Sequence, residues 1–206
     1  MAHKADSTLA TQLRFSPPTR DAYGNLFAFC QGPVSGRMLI QLSEKGLIVP
    51  FGIASWDNQR STMTLCVPAD ATDLREFLAA MDEKVKTWAW ENRQQIWHDP
   101  PATKELLDSH HKPLLRKAKE SSFEDTLQLR VSADAQYWNT DKTKGDAFSV
   151  VKGGPVIPLA SASRLWTTTQ GSRCYDFGLT LTMHHTLVLP APAQDPAALF
   201  SNVSFK

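Results

Sequence analysis

The hydrophobic pattern of this chain predicts a mainly β domain interrupted by a helical insert, and three observations carry that reading. Apolar residues alternate with polar ones before Pro68 and again from Leu127 onward. Between those stretches they recur at helical spacing. Turn-forming clusters separate the alternating runs. A chain of 206 residues with 42% apolar content is long enough to bury a core without help from disulfides or metal.

The elements follow in order. Leu13 and Phe15 alternate with Gln12 and Arg14, and Leu26 to Cys30 follows the turn signal Tyr23-Gly24-Asn25. Arg37 to Leu42 and Gly46 to Phe51 are strand-like runs split by Ser43-Glu44-Lys45. Met63, Leu65 and Val67 alternate with Thr62, Thr64 and Cys66 until Pro68 stops the strand. The period then changes. Leu74, Phe77, Leu78, Met81, Val85 and Trp88 form one helical stripe, with Asp73 and Glu76 spaced for a capping box. This helix is expected to run toward Trp97 and end before Pro100-Pro101. Trp90 and Trp97, with Arg93 between them, are expected on a second helix face; packing on the barrel is the favoured reading, with a dimer surface or a strand-binding platform as the alternatives. A shorter helix from Thr103 carries Leu106, Leu107, Leu114 and Leu115 and is broken at Pro113.

Strands resume with Leu127, Leu129 and Val131. A polar loop is expected from Ser132 to Gly154, then a hairpin of Val156–Thr168 and Tyr175–Leu189 around Gln170-Gly171-Ser172. In the last strand Phe177, Leu179, Leu181, Met183, His185, Leu187 and Leu189 are expected on one face. Gly178, Thr180, Thr182, His184 and Thr186 would take the other. Residues 1–10 read as a flexible lead, 11–189 as the domain with its helical insert at 72–119, and 190–206 as a flexible Pro/Ala-rich tail. Strands, helix, then strands is the order of an OB-fold, a five-stranded Greek-key barrel with an α-helical insert between the third and fourth strands. Periodicity alone also permits an α+β sandwich.

Net charge is only +1, against the strongly basic balance of many nucleic-acid binders. The charge is uneven, however: Lys84 to Lys119 carries eight basic and four acidic residues. No long uncharged apolar run or secretory signal is read, and the odd, well-separated Cys30, Cys66 and Cys174 suit buried reduced thiols. An intracellular protein is expected. His110-His111 and His184-His185 lack metal-ligand spacing, and no Cys-x-x-Cys or His-Glu-x-x-His motif occurs. No Gly-x-Ser-x-Gly elbow or phosphate-cradling glycine loop is present either. The expectation is a protein that is not an enzyme, with no metal and no cofactor.

Several ordered stretches carry a resemblance. They are Met38-Leu-Ile-Gln41, Val49-Pro-Phe-Gly52, Phe77-Leu78 with Met81-Asp-Glu83, and Lys112-Pro-Leu-Leu-Arg-Lys117. Val156-Ile-Pro158, Leu165-Trp166 and Phe177-Gly-Leu-Thr180 complete the set. Together they resemble the single-stranded DNA-binding proteins of nucleo-cytoplasmic large DNA viruses, which are similar to the replication single-stranded DNA-binding protein of short-tailed phages. The resemblance spans about residues 10 to 189. It implies an OB-fold and sequence-independent single-strand binding in replication, recombination or repair. It also implies a nuclear or viral-compartment location, a homodimer, and replication partners met through the C-terminal tail. In the phage proteins that tail is acidic; here it holds one acid, Asp195, and ends Phe205-Lys206.

Binding single strands without sequence preference needs cations along the phosphates and flat side chains under the bases; each stacked base is worth about 1–3 kcal/mol. The Ser132–Gly154 loop, in the position of an OB-fold binding loop, supplies Tyr137, Trp138, Lys142 and Lys144. Trp56 with Arg60 forms a second pair, and Arg164 with Trp166 a third on one strand face. Arg130, on the polar face of its strand, is a candidate phosphate contact. The basic insert is expected to plug and flank the barrel rather than bind. The competing reading is a non-catalytic barrel that serves as a structural or protein-interaction module in a virion or replisome.

Overall fold

The computed structural model describes residues 2–22, 24–32, 38–57, 60–169 and 175–190. The first half of the chain contains β1 (His3–Lys4), α1 (Ser7–Gln12), β2 (Arg14–Phe15), β3 (Thr19–Arg20), β4 (Leu26–Gln31), β5 (Ile40–Gln41), β6 (Leu47–Ile48), β7 (Ile53–Asp57) and β8 (Arg60–Val67). Then come α2 (Thr72–Glu91), α3 (Arg93–Ile96) and α4 (Lys104–Ser109), followed by β9 (His111–Lys112), β10 (Leu115–Arg116), β11 (Asp125–Asn139), β12 (Lys144–Gly145), β13 (Pro155–Thr167) and β14 (Phe177–Val188). This is a mainly β OB-fold with helices between its strands. The main path of the sheet runs β1-β5-β13-β14-β11-β8-β7. Among the described residues its end strands, β1 and β7, are not hydrogen-bonded to each other, so the five-stranded barrel of the sequence reading is not closed.

Four long strands frame the molecule. β8 runs antiparallel to β11, with Leu65 opposite Leu127 and Met63 opposite Leu129. β11 is parallel to β14, with Arg130 opposite Thr182, and β14 is antiparallel to β13, with Thr180 opposite Arg164. The inward set Met63, Leu65, Leu127, Leu129, Leu165 and Met183 is fully buried. Each such side chain contributes about 1.5–3 kcal/mol of burial.

α2 closes one end of this core. Leu74, Phe77, Leu78, Met81, Val85 and Trp88 are buried, as their spacing predicts. Trp88 stands edge-on to Phe15 at 6.3 Å and donates from Nε1 to the Ser16 carbonyl at 3.1 Å. The capping box does not form: the N-cap is Ala71, without a side-chain hydrogen bond, and Asp73 instead pairs with Lys4 at 2.8 Å. Trp97 does not share a helix with Trp90, because α2 ends at Glu91. It is buried against Tyr175 and Phe177 and donates to the Thr168 carbonyl at 2.7 Å. Leu114 and Leu115 lie beyond α4, with Leu115 in β10.

Four further expectations change. Residues 3–10 are not a loose lead: β1 pairs in parallel with β5, and Asp6 caps α1, whose Leu9 and Ala10 are buried. The loop expected from Ser132 is strand as far as Asn139. In β14 the alternation reverses after Met183, because the register of both neighbours shifts there; His184 and Thr186 turn inward and His185 outward. Cys30 and Cys66 are half-buried rather than buried, and Cys174 lies outside the described residues. Most of the tail, 191–206, also lies outside them.

Candidate nucleic-acid interface

The outward face of the sheet is polar where β8, β11, β14 and β13 run side by side. There, strand periodicity aligns Thr62, Arg130 and Thr182 in one row. Arg164 and Trp166 face the same way, flanking the fully buried Leu165. A groove of about 510 Å³ crosses this face. Its lining includes Ser61, Thr62, Gln128, Thr180, Trp166 and three cations, Lys112, Arg116 and Arg130. Among the described residues no carboxylate lines it.

The segment after α4 forms one wall, and two buried or half-buried acids hold it there. Asp82 sits on the inward stripe of α2, and its two carboxylate oxygens accept from the Leu114 N–H at 3.2 Å each. His111 Nε2 lies 3.4 Å from the same carboxylate. Asp176 meets His110 Nδ1 at 3.2 Å and Lys112 Nζ at 3.1 Å. Burial raises the Asp176 pKa, but hydrogen bonds from Lys112 and His110 outweigh it and hold the carboxyl below its ordinary value. The neighbouring histidines thus serve different acids and form no shared ligand set.

The cations differ in how free they are. Arg130 is exposed and has no ion-pair partner among the described residues. Arg116 spends one nitrogen on the Gln128 side-chain carbonyl at 2.8 Å, a neutral partner that leaves its charge uncompensated. Lys112 is half-exposed and shares its charge with Asp176. Trp166 packs closely on the Cβ-less Gly178: a Cβ there would come within 3.1 Å of the indole and 3.0 Å of the Lys112 carbonyl. Glycine therefore makes room for the half-buried indole beside the cations.

Next to Trp166, β4 adds aromatic surface. Phe29 is opposite Arg164 and Phe27 opposite Trp166. Phe29 is 53% exposed and stands edge-on to Phe27 at 5.1 Å. The Arg164 guanidinium covers the Phe27 ring at 3.9 Å and reaches Asp21 at 3.0 Å. Arg164 is thus on the expected face but already held by a carboxylate.

The remaining sequence candidates lie elsewhere. Tyr137 is buried, not carried on a loop: it is opposite Thr186 in β11, and burial pushes its phenol pKa up. Trp138, the next residue, faces outward, half-buried, opposite Lys144 and Leu187. Lys142 and Lys144 are exposed on the hairpin that follows. Arg130 and Trp138 are eight residues apart on β11, roughly 25 Å. The structure therefore does not bring this group together with Arg130 and Trp166. Trp56 and Arg60 belong to the β7–β8 hairpin, Arg60 directly preceding the groove residue Ser61; their side chains lie outside the described part.

Sequence reading missed Lys112, Arg116, Phe29 and Phe148. The signal for the first two was present in Lys112-Pro-Leu-Leu-Arg-Lys117, but the insert was assigned to plugging the barrel. Its last residues instead line the groove. Phe148 is 90% exposed on a 3-10 turn, Ala147–Ser149. Asp146 caps that turn by accepting from the Phe148 and Ser149 N–H groups at 3.0 and 3.1 Å.

No protein-family model matches this sequence, and no curated protein matches it. Among solved structures, the fold is similar to gp2.5, a single-stranded DNA-binding protein encoded by bacteriophage T7, with a TM-score of 0.51 at 11% identity. That match covers 82% of this chain and 96% of the phage protein. The single-stranded DNA-binding protein of bacteriophage Enc34, in complex with single-stranded DNA, gives a TM-score of 0.44 at 11% identity over 87% of this chain and 97% of its own. Nearly the whole of gp2.5 is spanned, so what this chain shares with it is the fold.

Proposed function

We propose that this protein binds single-stranded DNA, without sequence preference and without catalysis, in the replication, recombination or repair of DNA. The observation that carries the reading is the acid-free groove, in which Lys112, Arg116 and Arg130 surround the Trp166 platform. Arg116 and Arg130, with no carboxylate partner among the described residues, attract a polyanion, while Lys112 shares its charge with Asp176. The half-buried Trp166 indole offers a stacking surface to any base, and duplex DNA offers no unpaired base faces to it. The fold likeness to a phage protein of that activity supports the reading. So do the ordered motifs, which favour membership of the single-stranded DNA-binding proteins of large DNA viruses. In that setting a homodimer and replication partners are part of the proposal.

The test is a titration of fluorescent oligo-dT and of a duplex of equal length at low salt. Preferential binding of the single strand, weakened by Trp166→Ala and by Arg116→Gln with Arg130→Gln, is the expected result. No binding at low salt would overturn the proposal in favour of a protein-interaction module.

A further inference from the structure

Three large apolar side chains stand exposed together at the end of the molecule away from the groove: Phe51 (71%), Phe148 (90%) and Val151 (52%). Their loops are tied to each other, Val49 N–H to the Gly154 carbonyl at 3.0 Å and Gly153 N–H to the Val49 carbonyl at 2.8 Å. Scattered surface phenylalanines need no explanation, but a cluster on capped, hydrogen-bonded loops marks a contact surface. The charge around it indicates the partner. Lys142, Lys144 and Lys152 are exposed there, and none is in an ion pair among the described residues. Two acids share this end, Asp141 hydrogen-bonded to Thr143 and Asp146 capping the 3-10 turn; they keep their charge, and the three lysines outnumber them. Lys142 also adopts φ +67°, a left-handed conformation in which glycine is less strained.

We infer that this end is a second stacking post for the strand held in the groove, with Phe148 under a base and Lys142, Lys144 and Lys152 on the flanking phosphates. The inference rests on the single-strand reading of the groove. Trp138 and Leu187, outward and half-buried, lie on the sheet between the two ends. Trp138 is itself roughly 25 Å from Arg130 along β11, so the posts are at least that far apart. At a stacked rise of about 3.4 Å per nucleotide, that is about seven nucleotides or more. Binding therefore depends on length: a strand of four nucleotides occupies one post, and a strand of sixteen spans both.

The experiment compares dT4 and dT16 on the unaltered protein and on Phe148→Ala, whose exposed side chain makes the unfolding midpoint a control that stays constant. Phe148→Ala is expected to leave dT4 affinity unchanged and to weaken dT16 by about tenfold or more. Lys142→Gln with Lys144→Gln should lower the salt slope for dT16 by about 0.7 per lysine and leave that for dT4 as it was. An unchanged dT16 affinity in Phe148→Ala, with dT4 still bound, overturns this inference alone and leaves the patch to a protein partner. Equal losses for both lengths overturn it too, since they put Phe148 in the groove's own footprint. Failure of the unaltered protein to bind either oligonucleotide overturns the groove assignment and this inference with it.

Discussion

Replacing Arg130 by glutamine removes a charge from the groove while keeping much of the side chain. Arg130 is exposed, with no ion-pair partner among the described residues, so folding stability should stay within about 0.5 kcal/mol of the unaltered protein. Binding should respond differently. Each cation on a single-strand phosphate adds about −0.7 to the slope of log affinity against log salt. Raising salt from about 50 to about 200 mM then costs about 2.6-fold per contact, and about 18-fold for Lys112, Arg116 and Arg130 together. Arg130→Gln should make the slope shallower by about 0.7, and adding Arg116→Gln by about 0.7 more. Lys112→Gln should remove less, because Asp176 already holds that ammonium at 3.1 Å. Anisotropy of labelled dT16 across salt concentrations reads these slopes. If Arg130→Gln leaves the slope unaltered while the affinity of the parent is salt-dependent, the phosphates run elsewhere and the groove assignment is refuted.

Other perturbations test how the groove is held. Gly178→Ala places a methyl 3.1 Å from the Trp166 indole and 3.0 Å from the Lys112 carbonyl. It should cost about 1–3 kcal/mol in urea unfolding and weaken oligo-dT binding by displacing the platform. Asp82→Ala leaves the buried Leu114 N–H without its acceptor; a loss of about 1–3 kcal/mol and faster hydrogen exchange at Leu114 are expected. Asp125 accepts from Arg75 at 2.7 Å, from the Ala118 N–H at 3.0 Å and from Lys117 at 3.0 Å, which holds its carboxyl far below the ordinary 3.8. A depressed folded-state pKa gives stability that is present above the ordinary value and lost as pH falls below it. Melting temperature should therefore drop on acidification below about pH 4, and Asp125→Asn should be less stable near neutrality but flatter through that window.

The sheet and its insert were legible because strand-like alternation recurs on both sides of the insert and α2 carries an unbroken stripe from Leu74 to Trp88. Arg164 and Trp166 were legible as a same-face pair for the same reason: two residues apart on a regular strand face one way. What escaped was set by distant partners. Tyr137 reads as a loop aromatic because small alanines and polar residues precede it; yet Val131, Ala133, Ala135 and Tyr137 alternate with Ser132, Asp134 and Gln136, and the strand is held by β14 in parallel and by Gly145 across a short hairpin. The reversal at His184 is similar, since a shifted register leaves no mark in the alternation of Thr and apolar residues. Lys112 and Arg116 read as part of a helical insert that plugs and flanks the barrel. Their true setting depends on Asp82, one turn from Leu78 on the apolar stripe, reaching across to the Leu114 N–H. A carboxylate inside a hydrophobic stripe was the available clue.

β14 lies in the middle of the sheet, antiparallel to β13 on one side and parallel to β11 on the other. It is also the last described strand in the chain. A nascent polypeptide released only as far as β13 therefore has no centre: β11 and β13 each offer an unsatisfied edge with fully buried-type side chains behind it. The local β13–β14 hairpin can form quickly, but its docking onto β11 joins Arg130 to Thr182, residues far apart in the chain, and parallel pairing of that kind is slow. Folding of this domain therefore waits until β14 has been made. Premature stops before residue 177 should yield aggregates rather than a shortened domain.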